Sequence, residues 1–137
     1  MNIFLDTSVV LAACGSNKGA SHYVFEIAQA QNWMLLTSNY VVRETELNLS
    51  VLPTESLETW NQLNQLLVLV PDVVTFDWVT VFEKAKDRPI LFTGLAWADV
   101  LLTLDRSDFG KLIGTEFYGM SVLTPGMFLR RERERLK

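Results

Sequence analysis

Two short apolar runs, each ending abruptly in an aspartate, constrain this chain most. Val100 to Leu104 is bounded by Asp99 and Asp105, and Ile3-Phe4-Leu5 runs straight into Asp6-Thr7-Ser8. Apolar runs without polar alternation predict strands buried on both faces of a sheet. A buried strand with a carboxylate at its carboxyl end sets that group in the crevice where open α/β sheets bind ligands. Aspartate is also a common turn and cap residue, so at Asp105 or Asp108 alone the two readings are level. The repetition at Asp6 favours a shared site.

The pattern between these runs is an alternation of helices and strands. A short helix follows Asp6 over Val9 to Cys14, and Ser21 is a plausible cap for a helix to about Gln31. Trp33 to Thr37 predicts a strand, and Ser38 or Asn39 caps a helix to about Val51. Pro53 closes that helix, Thr54 opens another to about Leu66, and Leu67 to Val70 is the next apolar run. Phe76 to Lys86 reads as a helix, and a new one starts near Pro89 and reaches about Trp97. A last strand at Met120 to Leu123 precedes a closing helix from Pro125. This alternation predicts a three-layer α/β/α sandwich with a central parallel sheet, residues 1–137 forming one domain.

Composition narrows the class of function. No apolar run approaches the roughly 20 residues that span a bilayer, and the chain opens without a secretory signal. The lone Cys14 excludes an internal disulfide and fits a reducing compartment, so a cytoplasmic location is expected. Residues 130–137 hold five of the 12 basic residues, whereas the preceding 129 hold 14 acids against 7 bases. An acidic body repels phosphate unless its acids surround a cation. The basic helix end at about 126–137 suits contact with phosphate or an acidic partner, or is a solvated helix end with interleaved glutamates.

The acids themselves carry the chemistry. Asp6 and Asp105 end strands, Asp87 sits at a helix entrance, and Glu44 lies on the early turns of a helix, while Glu46 reads as a solvated residue. Two carboxylates brought within about 5 Å repel by roughly 3 kcal/mol at an effective dielectric near 20. A cluster of them is tolerable when some protonate or a cation binds. Oxygen ligands completed by water suit Mg²⁺ or Mn²⁺. His22 and Cys14 are isolated, which leaves no zinc set and no Cys/His nucleophile. No Gly-rich phosphate loop is present.

These residues together resemble the PIN-domain family, metal-dependent nucleases that include the VapC-type toxins. The similarity lies in Ile3-Phe4-Leu5-Asp6-Thr7-Ser8, Val42-Arg43-Glu44, Lys86-Asp87-Arg88-Pro89-Ile90-Leu91, Leu101 through Phe109, and Val122-Leu123-Thr124-Pro125, and so covers nearly the whole chain. It implies a PIN-like fold and a ribonuclease that hydrolyses RNA phosphodiester bonds, the toxin of a toxin–antitoxin pair, with an antitoxin partner and a homodimeric state. Asp6, Glu44, Asp87 and Asp105 are then the acidic quartet. Asp6 and Asp105 hold the divalent ion directly, Asp87 ligates it or a second ion, and Glu44 orients a water or takes its proton. Ser8 and Thr103 support a ligand or touch phosphate, and Asp108 assists. Arg88, beside Asp87, departs from the small residue usual there in the family.

Two other classes stay open. A catalytically silent PIN-like module would keep the fold and bind RNA or protein. A receiver- or phosphatase-like domain would also use strand-end aspartates with Mg²⁺. The phosphatase version wants an acid where Ser8 stands, and the receiver version wants a late strand-end lysine, which the chain lacks between Lys111 and Lys137.

Overall fold

A computed structural model describes residues 1–73 and 88–135 and has a mixed α/β fold built on one six-stranded sheet. Strand β1 (Asn2–Leu5) lies at its centre, parallel to β2 (Met34–Thr37) on one side and to β4 (Val100–Leu102) on the other. Strand β2 pairs in parallel with β3 (Val68–Leu69), and β4 with β6 (Met120–Leu123). Strand β5 (Thr115–Phe117) closes the far edge antiparallel to β6. The order is β3-β2-β1-β4-β6-β5. The chain builds outward from β1 through β2 to β3, then crosses back to place β4 on the other flank. That reversal makes the β1–β4 seam a topological switch point.

The helices are α1 (Thr7–Gly15), α2 (Ala20–Ala28), α3 (Asn39–Asn48), α4 (Glu55–Asn64), α5 (Arg88–Trp97), α6 (Arg106–Phe109) and α7 (Pro125–Arg135), with a 3₁₀ turn at Leu49–Val51. Successive strand side chains point to opposite faces. Ile3, Phe4, Leu5 and, on β4, Val100, Leu101 and Leu102 are nonetheless all buried, so both faces of the central strands are covered. This arrangement is compatible with three layers. Helix α5 comes close to the seam at Gly94, where an added Cβ would meet the Met120 sulfur at 3.3 Å and the Phe4 Cβ at 3.7 Å.

Most element boundaries follow the sequence pattern, and the departures have local causes. Ser38 caps α3 through its Oγ, which accepts from the Val41 N–H. Ser21 does not cap α2, because Gly19 takes the extended cap conformation and leaves Ser21 buried inside the helix. Thr54 stands at the cap of α4 with a helical backbone and no side-chain cap bond. The Leu67 to Val70 run yields only a two-residue, exposed edge strand. Strand β4 stops at Leu102, and Leu104 is 42% exposed rather than part of the buried run. Glu46 is exposed as expected, yet its Oε2 accepts from the indole Nε1 of buried Trp60 at 3.4 Å. Strand β5 and the body of α6 had no sequence signal of their own, whereas β6 and a cap at Asp105 match the sequence reading. The β5–β6 hairpin turns through Tyr118 and Gly119, both at positive φ (49° and 86°). The helix expected over 76–86 and the candidate Asp87 lie outside the described residues. No helix among the described residues is long and apolar enough to cross a membrane.

Candidate functional site

The parallel register Leu5↔Leu102 determines what meets at the carboxyl edge of the seam. One residue further on, the Asp6 N–H still donates to the Leu102 carbonyl at 2.9 Å, so Asp6 and Thr103 emerge side by side. Asp6 is 4% exposed and Thr103 fully buried. The Asp6 Oδ2 accepts from Thr103 Oγ1 and from Ser8 Oγ, both at 2.7 Å. Each hydroxyl is held from its other side by a backbone N–H. Leu104 donates to Ser8 Oγ at 3.0 Å, and Asp105 to Thr103 Oγ1 at 3.1 Å. A hydroxyl has a single proton to donate. Ser8 and Thr103 direct theirs at Asp6 and so orient that carboxylate.

Asp105 lies between β4 and α6 and is half-buried. Its Oδ1 accepts from the Ser107 N–H and the Asp108 N–H, both at 3.1 Å, and from the Ser107 hydroxyl at 2.7 Å. These bonds make Asp105 the N-cap of α6. Asp108 contributes its backbone N–H to this cap. Glu44 reaches toward the same strand end from α3, where its Oε1 accepts from Thr7 Oγ1 at 2.8 Å. Thr7 is the residue after Asp6, so the α3 glutamate is tied to the turn that carries the buried aspartate.

Burial pushes the Asp6 carboxyl above its ordinary range, because a charge stripped of water is costly. The bonds from Ser8, Thr103 and the Thr7 N–H pull it back, and the negative charge of Asp105 pushes it up again. Asp6 and Asp105 are thus close enough to repel each other. A divalent cation between such carboxylates would relieve both the desolvation and the repulsion, and an all-oxygen donor set fits Mg²⁺ or Mn²⁺. Among the described residues, no three His, Cys, Asp or Glu side chains form a metal-binding group.

The structure therefore brings Asp6, Ser8, Thr103 and Asp105 together, with Glu44 joined through Thr7. Sequence reasoning did not assign roles to Thr7 and Ser107. Both directly follow a site aspartate by one or two positions, where hydroxyls commonly bond back to nearby backbone or carboxylates. Asp99, which opens the second apolar run, belongs to the opposite edge, where its Oδ2 accepts from the Asn2 N–H at 2.8 Å. Cys14 is buried in the core and its thiol is pushed up to about 11, consistent with an inert packing residue. Comparison with protein-family models, with curated proteins and with solved structures gave no match.

Proposed function

We propose that this chain is a metal-dependent ribonuclease with a PIN-like fold, hydrolysing RNA phosphodiester bonds at the carboxyl edge of β1 and β4. The observation that carries this reading is the buried Asp6 carboxylate at the switch point, bonded by Thr103 Oγ1, which in turn accepts the Asp105 N–H. Asp6 and Asp105 hold Mg²⁺ or Mn²⁺ in this reading, and Asp87 joins them on resemblance alone. A bound divalent ion supplies a more acidic water and offsets charge developing on the phosphate. Ser8 and Thr103 fix the direction of the Asp6 carboxylate. Glu44, steadied by Thr7, orients the attacking water or accepts its proton. The same reading makes the protein a cytoplasmic, homodimeric toxin controlled by an antitoxin.

The test is cleavage of a fluorogenic single-stranded RNA with excess chelator, then with restored Mn²⁺, by the parent and by Asp6→Asn. Cleavage should vanish with chelator and return with Mn²⁺, and Asp6→Asn should lose at least ~10²-fold, the scale for one positioned electrostatic group. Full cleavage in chelator, or an unaffected Asp6→Asn protein, overturns the proposal.

One observation favours a second reading, a catalytically silent module that binds RNA or protein. Oδ1 of Asp105 already accepts three hydrogen bonds in capping α6. A silent module would bind Mn²⁺ or RNA and show no turnover in the same assay.

A further inference from the structure

A second concave surface lies between α2 and α7, away from the acidic edge. Its volume is about 470 Å³, within the range of roughly 300–1,000 Å³ usual for binding clefts. Two helical stripes form it. Tyr23 and Ile27 face it from α2, and Gly126, Leu129, Arg130 and Arg133 from α7, at the spacing that places residues on one face of a helix. Trp33, which precedes β2, also lines it. Arg131 points elsewhere on α7, to Ser121 of β6, and its Nη2 also lies near the Met1 sulfur. The surface thus runs along α2 and α7, from Gly126 at the start of α7 to Arg133 near its end.

Its charge is specific. Arg130 and Arg133 supply two cations in a protein of net charge −4. The acid that lines it, Glu132, is already engaged by Arg131 at 3.1 Å and Arg135 at 3.5 Å. Neighbouring Glu26 on α2 bonds His22 at 2.9 Å. Ile27, Trp33 and Leu129 supply apolar lining beside Gln31, and Tyr23 is 48% exposed. Exposed Gly126 leaves room on the α7 side for a partner's side chain, since an added Cβ there would meet only Thr124 Oγ1, at 4.0 Å.

We infer that this surface docks a peptide segment in which acidic residues flank one aromatic or large aliphatic side chain. The apolar side chain enters the space over Gly126, and the acids pair with Arg130 and Arg133. Polar rim and apolar centre are the usual division of labour in such contacts. Nucleic acid fits less well, because affinity for it comes from many phosphate-neutralising cations in a track, whereas two arginines border a partly apolar lining here. The inference is independent of catalysis at Asp6.

The probe is a fluorescein-labelled hexapeptide, Glu-Glu-Leu-Phe-Asp-Glu, titrated with the full chain by anisotropy. A lysine-for-acid analogue and a Phe→Gly analogue serve as controls. Gly126→Phe fills the space over α7, Arg130→Glu with Arg133→Glu reverses the rim, and Tyr23→Ala trims an exposed side chain. Circular dichroism checks the fold of each. The acidic peptide should bind the parent, and the Gly126→Phe and rim-reversed proteins at least about tenfold more weakly. Both analogues should bind more weakly too, and Tyr23→Ala should weaken binding if Gly126→Phe fails to fold. Equal binding to parent and variants overturns the inference. So does a short single-stranded RNA that displaces the peptide and loses affinity in the rim-reversed protein. Self-association of the parent that Gly126→Phe abolishes would instead assign the surface to a second copy, which also overturns it.

Discussion

The hydroxyl of Thr103 donates to the carboxylate of Asp6 at 2.7 Å while accepting the Asp105 N–H at 3.1 Å. One buried side chain just beyond β4 therefore bonds the Asp6 carboxylate and the Asp105 backbone. Replacing it with valine keeps the shape but removes one of the two hydroxyl bonds to the Asp6 Oδ2, leaving Ser8's, and deprives the Asp105 N–H of its acceptor. Thr103→Val should lower stability by about 1–3 kcal/mol, measured by urea unfolding, while Thr103→Ser should retain most of it. A Thr103→Val protein as stable as the parent would mean that the network contributes nothing to the fold.

Asp6 sets a pH dependence with a defined sign. Its carboxyl titrates above the ordinary value of 3.8 in the folded state. The folded protein therefore holds this proton over a pH window in which the unfolded chain has released it. Stability from this group is greatest below the unfolded value and is lost as pH rises through the folded one. In chelator, Asp6→Asn should flatten the decline of Tm with pH above about 4 and melt at or above the parent at neutral pH. Added Mn²⁺ should raise the parent's Tm more than the variant's. A variant that keeps the parent's pH slope assigns that slope to another group.

Asp105 has two roles that substitution separates. Asparagine caps helices about as well as aspartate, whereas alanine loses roughly 0.5–2 kcal/mol. Asp105→Asn should melt close to the parent without metal, and Asp105→Ala clearly lower. Both should lose the Mn²⁺-dependent gain in Tm. If Asp105→Asn keeps that gain, Asp105 is a cap and not a ligand.

The basic helix end is partly structural. Arg131 donates to Ser121 Oγ at 3.0 Å and lies 5.6 Å from the ring centre of buried Phe128. Arg131→Ala should cost about 1 kcal/mol in thermal unfolding through lost packing and hydrogen bonding. Arg133→Ala should leave Tm nearly unchanged. Equal effects would show that α7 is held by its charge as a whole.

The sequence by itself determined the strand at Ile3–Leu5, a strand from Val100 that it carried to Leu104, a helix cap at Ser38 or Asn39 and the α/β alternation, because these depend on local patterns of apolar residues, caps and breakers. It also picked out Asp6 and Asp105, since an acid ending a buried strand is visible in one dimension. What only the tertiary structure decided is how they meet. The Leu5↔Leu102 register and the switch in strand order bring residues almost a hundred positions apart into one hydrogen-bonded cluster. The same folding directs the Ser8 and Thr103 hydroxyls at Asp6, links Thr7 to Glu44, anchors Arg131 on β6 and leaves the groove between α2 and α7. A hydroxyl or guanidinium carries no sign of its partner in sequence. Its partner is chosen by which strand ends and helix faces packing brings within about 3 Å.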